Sequence, residues 1–208
     1  MAGPKTTLIL VRHGETTWNA QKKLQGNTDV ALTARGKKQA EATALHLLNY
    51  PIDVIYSSPL KRALVTAQKI NTHHKVALHT HSSLLERGFG KLEGISYEEL
   101  WKNYPRFGWP VALEYPWYAP MNSERLIDVE RRIGSFLKTV VKKHSGKTIV
   151  IVSHGVALRC CITKLLRTPR SFNLTYKMEN ASLTIIQVQE GREADLHLLG
   201  SVDHLEEE

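Results

Sequence analysis

A chain of 208 residues with 42% hydrophobic and 23% charged residues has the size and balance of one medium soluble domain. No apolar run nears the roughly 18 residues of a membrane span, and "LILV" at 8–11 is too short for a secretory signal core, so a cytoplasmic protein with no membrane partner is expected. Twenty-eight Lys and Arg against 20 Asp and Glu leave a formal charge of +8, which favours anionic partners. The lysine pairs at 22–23, 37–38 and 142–143 are scattered. That argues against nucleic acid and leaves a small phosphorylated substrate.

In chain order, "TTLILV" (6–11) predicts a buried strand. A helix over 33–49 follows, with Thr33 as N-cap and Ala40, Ala44, Leu45 and Leu48 facing inward. "DVIYS" (53–57) is a second strand. The next helix, 59–70, has Ser58 as N-cap, Pro59 at its first position, and Leu60, Ala63, Leu64 and Ala67 on one stripe. "KVALHTH" (75–81) is a shorter strand signal. Residues 124–143 follow a Ser123 cap and place Leu126, Val129, Ile133, Leu137 and Val140 on one face. "TIVIVS" (148–153) is a strand covered on both sides, followed by a helix over 155–167 that Pro169 ends. Strands "SLTIIQV" (182–188) and "DLHLLGS" (195–201) close the chain. Strand–helix alternation predicts an α/β fold, a mostly parallel sheet between helical layers.

Residues 88–122 break the alternation and hold three of the four tryptophans. They are read as a cap inserted into a single domain spanning 1–208, with its aromatics packed inward rather than left bare. Adjacent Cys160 and Cys161 suit neither a disulfide nor a metal site and read as two small buried hydrophobes. The histidines at 73–74, 79 and 81 make no metal set.

"VRHG" (11–14) and "VSHG" (152–155) each place a histidine at the end of an apolar strand with glycine behind it. Ligands in such sheets bind outside the carboxyl ends of the strands. The strand 53–57 ends at the same rim, delivering Ser57, Ser58 and then Arg62. Arg12, His13, Arg62 and His154 should therefore converge. Two guanidinium groups and a helix N-terminus suit a phosphate dianion. An imidazole held neutral among arginines can attack phosphorus. The leaving oxygen needs a proton; Glu86 is the candidate donor, with Glu93, Glu98 and Glu99 as alternatives.

"LVRHGETTWN" resembles the signature of the histidine phosphatase superfamily, which includes the cofactor-dependent phosphoglycerate mutases. "LQGNTDVALTARGKKQA", "IYSSPLKRALVTAQ", "LLERGFGKLEG" and "VSHGVALRCCI" are similar to its later blocks, in family order. The resemblance implies a three-layer α/β/α sandwich. It implies His13 as the phosphorylated nucleophile, and Arg12, Arg62 and His154 as the groups binding the phosphoryl group. It implies Glu86 as proton donor and then as the base for water. Gly14, Asn19, Gln25, Gly26, Arg87 and Gly155 match positions at the phosphate or substrate site. The family's chemistry uses no metal.

Mutases of the family follow the acid with "ERHYG" and an Asn-Lys pair. Here Gly88 and Phe89 stand for His and Tyr, and Ile95 and Ser96 for the pair. Mutases also carry paired arginines in a longer cap, where this segment has only Arg106. The departures favour a metal-independent phosphomonoester hydrolase with no cofactor. A mutase using 2,3-bisphosphoglycerate is the alternative, and a non-catalytic phosphate-binding module is a third reading. The cap aromatics, Trp109 and Trp117 among them, are expected near a substrate surface. The chain is compatible with a monomer or a homodimer.

Overall fold

The computed structural model describes residues 3–104 and 117–205. Six strands form one sheet: β1 (Thr6–Arg12), β2 (Val54–Ser57), β3 (Ala77–Thr80), β4 (Thr148–Ser153), β5 (Leu183–Val188) and β6 (Asp195–Ser201), in the order β3-β2-β4-β1-β5-β6. β1, β4, β2 and β3 run parallel, while β5 lies antiparallel to both β1 and β6. The described helices are α1 (Thr17–Ala20), α2 (Ala34–His46), α3 (Lys61–His74), α4 (Tyr97–Asn103), α5 (Leu126–Lys143) and α6 (Gly155–Leu166). Among the described residues no helix is long and apolar enough to cross a membrane.

The unbroken apolar runs are explained by burial on both faces. Leu8, Leu10, Ile149 and Ile151 pack against Leu126, Val129, Ile133 and Leu137 of α5 and Ala157 and Leu158 of α6. The intervening Ile9, Val11, Val150 and Val152 pack on the other face against Ala44 and Leu47 at the end of α2 and Ala63, Ala67 and Ile70 of α3. Side chains alternate across a strand, so both faces of β1 and β4 are core and helices cover each. The fold is the three-layer α/β/α sandwich that the sequence predicts. The five residues expected inward on α5 are all buried, as are Cys160 and Cys161, both free thiols. Burial pushes the Cys161 thiol up to about 12.

Three local expectations fail. Leu45 and Leu48 are 55% and 48% exposed; the inward face of α2 carries Ala40, Thr43 and Ala44, with Leu47 just beyond its end. Ala44 and Leu47 pack with Ala63 and Ala67 of α3, and that i, i+3 stripe leaves Leu45 and Leu48 turned outward. Ser58 does not cap α3, which begins two residues later with Leu60 at the cap position and no side-chain cap bond. Ser123 does not cap α5 either. Arg125 holds that position, and the buried Ser123 hydroxyl finds no partner among the described residues.

The cap segment is described over 88–104 and 117–122. Phe89, Leu92 and Leu100 form a small cluster with Leu24, against which Ile95, Tyr104 and Val156 pack. The inward packing expected of the aromatics does not hold for Trp101, Trp117 and Tyr118, which are exposed, Trp117 at 61%. Aliphatic side chains and Phe89 supply the small core instead. Arg106, Phe107, Trp109 and Tyr115 lie outside the described residues.

Candidate active site

Parallel pairing sets Arg12 beside Ser153, so β1 and β4 deliver His13 and His154 side by side at one rim. Their ring centroids are 5.1 Å apart. His13 is buried, and its Nδ1 lies 2.7 Å from the Gly14 carbonyl oxygen. A carbonyl only accepts, so Nδ1 carries the proton and the Nε2 lone pair is left for the cavity. Burial, then the charges of Arg62 and Arg12, hold the His13 pKa well below 6.5. The ring is therefore neutral at physiological pH, the state a nucleophile needs.

A cavity of about 170 Å³ opens at this rim. Arg12, His13, Asn19, Gln25, Gly26, Arg62, Glu86 and Gly155 all line it. Gly155 stands where a Cβ would come within 3.7 Å of Glu86 Oε2 and 4.0 Å of the Arg12 Nε, so a larger side chain would fill the space between acid and guanidinium. The Arg12 Nε–H is buried without a partner among the described residues, while its Nη1 donates to the Met178 carbonyl. An unpaired buried guanidinium N–H is costly unless an acceptor arrives, and a phosphate oxygen would be one.

Arg62 is buried, and its Nη1 and Nη2 donate to the carbonyls of Thr28 (2.7 Å) and Gly26 (2.6 Å). Burial lowers its pKa to about 10, so it remains a cation. The loop that receives it is held by Glu93. That carboxylate accepts from the backbone N–H of Asn27, Thr28 and Phe89 at 3.1, 2.9 and 3.0 Å. Gly26 has φ +56° and would drive a Cβ to 2.1 Å from Glu93 Oε1. The left-handed φ and the anchored carboxylate together favour glycine there.

Glu86 sits at the start of α6. Its Oε1 accepts from the N–H of Arg87 (2.9 Å) and Ala157 (3.2 Å), its Oε2 from that of Val156 (3.2 Å). The alternatives go elsewhere. Glu93 anchors the loop, Glu99 closes a capping box with Ser96 on α4, and Glu98 is exposed in the first turn of the same helix.

His154 is buried and does not line the cavity. Its Nδ1 accepts from Arg62 Nε at 3.2 Å, so Nε2 carries the proton and donates to Ser58 Oγ at 2.7 Å. Ser58 thus fixes the ring and the ring fixes Arg62. Burial, then Arg62, keep the His154 pKa well below 6.5. Arg87 turns away from the cavity, its Nε donating to the Glu124 carbonyl at 2.8 Å and its guanidinium lying over Phe89.

Gly14 also lies outside the lining. A Cβ there would meet the Gly36 carbonyl oxygen at 2.3 Å. Its missing side chain lets the loop after β1 pass over α2. We expect Gly14→Ala to cost about 1–3 kcal/mol, because backbone must shift; thermal melts of the variant measure this.

Sequence reasoning missed Leu24, Phe89, Tyr97, Val156, Arg159 and Met178 in the lining. It also missed Asn180, whose Nδ2 donates to the carbonyls of His13 (3.1 Å) and Gly14 (3.3 Å) and to Asn19 Oδ1 (3.1 Å). Asn180 precedes β5, and only a reversed strand brings a strand's beginning to the rim where the others end. Among the described residues no group of three or more His, Cys, Asp or Glu side chains is placed to hold a metal.

The buried neutral histidines couple stability to pH. Their folded pKa values lie below the unfolded value near 6.5, so below that pH the unfolded chain binds more protons. Stability should be flat above about pH 6.5 and fall below it, by up to about 1.4 kcal/mol per pH unit for each of His13 and His154. His204, lowered to about 4 by burial and then His46, acts in the same direction. Urea titrations between pH 7.5 and 5 check this. A flat profile would mean the rings protonate without cost.

The family model described as histidine phosphatase superfamily (branch 1) matches residues 8–199. The chain belongs to the histidine phosphatase superfamily. It is similar to phosphoserine phosphatase 1 of Hydrogenobacter thermophilus, 36% identical over 196 residues covering 92% of this chain and 90% of that protein. It is 33% identical to phosphoglycerate mutase-like protein 4 of Arabidopsis thaliana, over 96% of this chain and 87% of the relative. Among solved structures, a phosphoserine phosphatase variant of Entamoeba histolytica in complex with phosphoserine superposes with a TM-score of 0.81 at 34% identity, covering 96% of this chain and 99% of that one. This histidine phosphatase family member is an enzyme, with phosphatase activity as its coarse function.

Proposed function

We propose that the enzyme hydrolyses a small phosphomonoester through a phosphohistidine, with neither metal nor bisphosphoglycerate. The observation that carries this reading is His13. Its Nδ1 proton is committed to Gly14 and its Nε2 is free in a cavity shared with Arg12, Arg62 and Glu86.

The Nε2 lone pair attacks phosphorus. The bond from phosphorus to the ester oxygen breaks as Glu86 gives that oxygen a proton, releasing the alcohol. Arg12 and Arg62 hold the negative oxygens as charge redistributes in the transition state. The backbone N–H groups that hold Glu86 keep the carboxyl aimed while it donates. Water enters, Glu86 takes back a proton, the new oxygen bonds phosphorus, and the P–N electron pair returns to Nε2. The sum is ester plus water to alcohol plus phosphate. His154 and Ser58 act on Arg62, and Asn180 on the His13–Gly14 backbone; these are positioning residues.

A phosphorus NMR time course tests the reading, run on 3-phosphoglycerate with trace 2,3-bisphosphoglycerate and chelator. Inorganic phosphate without isomer is expected. Rapid 2-phosphoglycerate with phosphate lagging would make the protein a mutase. If no ester of a wider panel is turned over and no phosphate becomes bonded to His13, the binding-module reading holds.

A further inference from the structure

We propose that Arg132 on α5 is the positioning residue for Glu86, oriented for that task by its ion pair with Glu124. The role of Glu86 as acid rests on the hydrolase reading above; its placement rests on geometry alone. Glu86 follows a single 3₁₀ turn, Ser82–Leu84, and residues 86–89 belong to no helix or strand. Backbone carbonyls in such a stretch have no ladder of N–H donors, yet each needs a partner. Side chains serve them. Arg132 Nη1 donates to the carbonyls of Ser83 (2.7 Å) and Leu85 (2.8 Å), and Nη2 to that of Glu86 (3.0 Å). Ser153 Oγ donates to the Leu84 carbonyl at 2.7 Å. Four successive carbonyls, ending at the acid itself, are thus fixed to α5 and to the end of β4.

Glu124 supplies the other half of the arrangement. Its Oε1 accepts from Arg132 Nε at 2.8 Å and its Oε2 from Nη2 at 3.0 Å, a two-point contact that sets the plane of the guanidinium. Glu124 also pins the chain beyond the acid. The Gly88 N–H donates to Glu124 Oε2 (3.2 Å), the Glu124 N–H to the Gly88 carbonyl (2.7 Å), and Arg87 Nε to the Glu124 carbonyl (2.8 Å). Glu86 therefore sits between two held stretches. Its carboxylate meets the N–H groups of Val156 and Ala157 at 3.2 Å. A backbone shift of about 1 Å would break those bonds and could cost about 100-fold in rate by misaligning the proton donor. Neither Arg132 nor Glu124 lines the cavity, so both act on the reaction only through Glu86.

The test is a double-mutant cycle read on two esters, 3-phosphoglycerate and 4-nitrophenyl phosphate. Arg132→Met should lower kcat on the alkyl ester by about 10- to 100-fold, with inhibition by inorganic phosphate unchanged. With the aryl ester the nitrophenol burst should persist while the slow phase drops. In a Glu86→Gln background the same substitution should cost no more than about twofold, because residues that act as a unit are non-additive. A loss of equal size in both backgrounds, or a weakened grip on phosphate, would overturn the proposal; a loosened fold gives that result. Arg132→Lys keeps the charge without the planar fork. It should lose less, and it carries the cycle if Arg132→Met does not fold. A readout without turnover separates the two readings. In the ligand-free protein the NMR amide signals of Val156 and Ala157 should move in Arg132→Lys toward their positions in Glu86→Gln. If they move while the wild type hydrolyses neither ester, the hydrolase reading falls and the placement of Glu86 by Arg132 stands. Signals that stay where they are sink the placement, whatever the activity.

Discussion

Replacing His13 by alanine should lower kcat by about 10⁴-fold or more while leaving phosphate binding in place. The imidazole supplies the attacking electron pair, and no other uncommitted nucleophile lies beside it in the described lining. His154 is the neighbouring ring, but both its nitrogens are engaged, one by Arg62 and one by Ser58. Arg12 and Arg62 survive the substitution, so the cationic cradle should still hold inorganic phosphate, as calorimetry would show. The wild type incubated with a substrate and denatured at alkaline pH should retain phosphate on His13, and the variant none. A variant that keeps more than about one hundredth of the activity would place the nucleophile elsewhere, because losing the attacking group leaves only electrostatic and binding contributions.

Glu86→Gln should separate alkyl from aryl esters. An alkoxide leaves poorly without a proton, so turnover of an alkyl phosphate should fall by about 10²- to 10⁴-fold. An acidic phenol leaves unaided. With 4-nitrophenyl phosphate the first step should stay fast while the second, which needs Glu86 to take a proton from water, stalls. The expected trace is a burst of nitrophenol equal to the enzyme present, then a slow phase. The local structure sharpens this result. The carboxylate accepts from three backbone N–H groups. Glutamine keeps one acceptor oxygen and turns an amide N–H towards those donors, so part of the loss reflects misplacement. Glu86→Asp keeps the charge and shortens the reach, and separates the two causes. Equal losses for both esters with no burst would remove Glu86 from the proton path.

Much of this protein was legible in the chain alone. Continuous apolar strands bounded by turns and helices demand burial on both faces, which dictates a layered α/β fold. A histidine placed after such a strand with glycine behind it must sit at the sheet rim. For these features local pattern and tertiary outcome coincide, because strand ends and helix starts are set within a few residues. The inward face of α2 was misjudged by a step of helical phase: Ala44 and Leu47 meet α3 while Leu45 and Leu48 turn outward, and neighbour packing decides that. Ser58 reads locally as a helix cap, yet the proximity of β2 to β4 gives its hydroxyl a histidine partner instead. Glu86, Glu93, Glu98 and Glu99 look alike along the chain. Only the approach of the loop before the cap to the start of α6 selects Glu86, while Glu93 meets the turn at Gly26. Asn180 carried no sequence signal, since it depends on β5 running backwards, whereas Arg159 lies one helical turn after Gly155 and shares its face of α6. The residue types and their order therefore determine the layers and the paired histidines, and long-range packing decides which of several similar side chains reaches the reacting atoms.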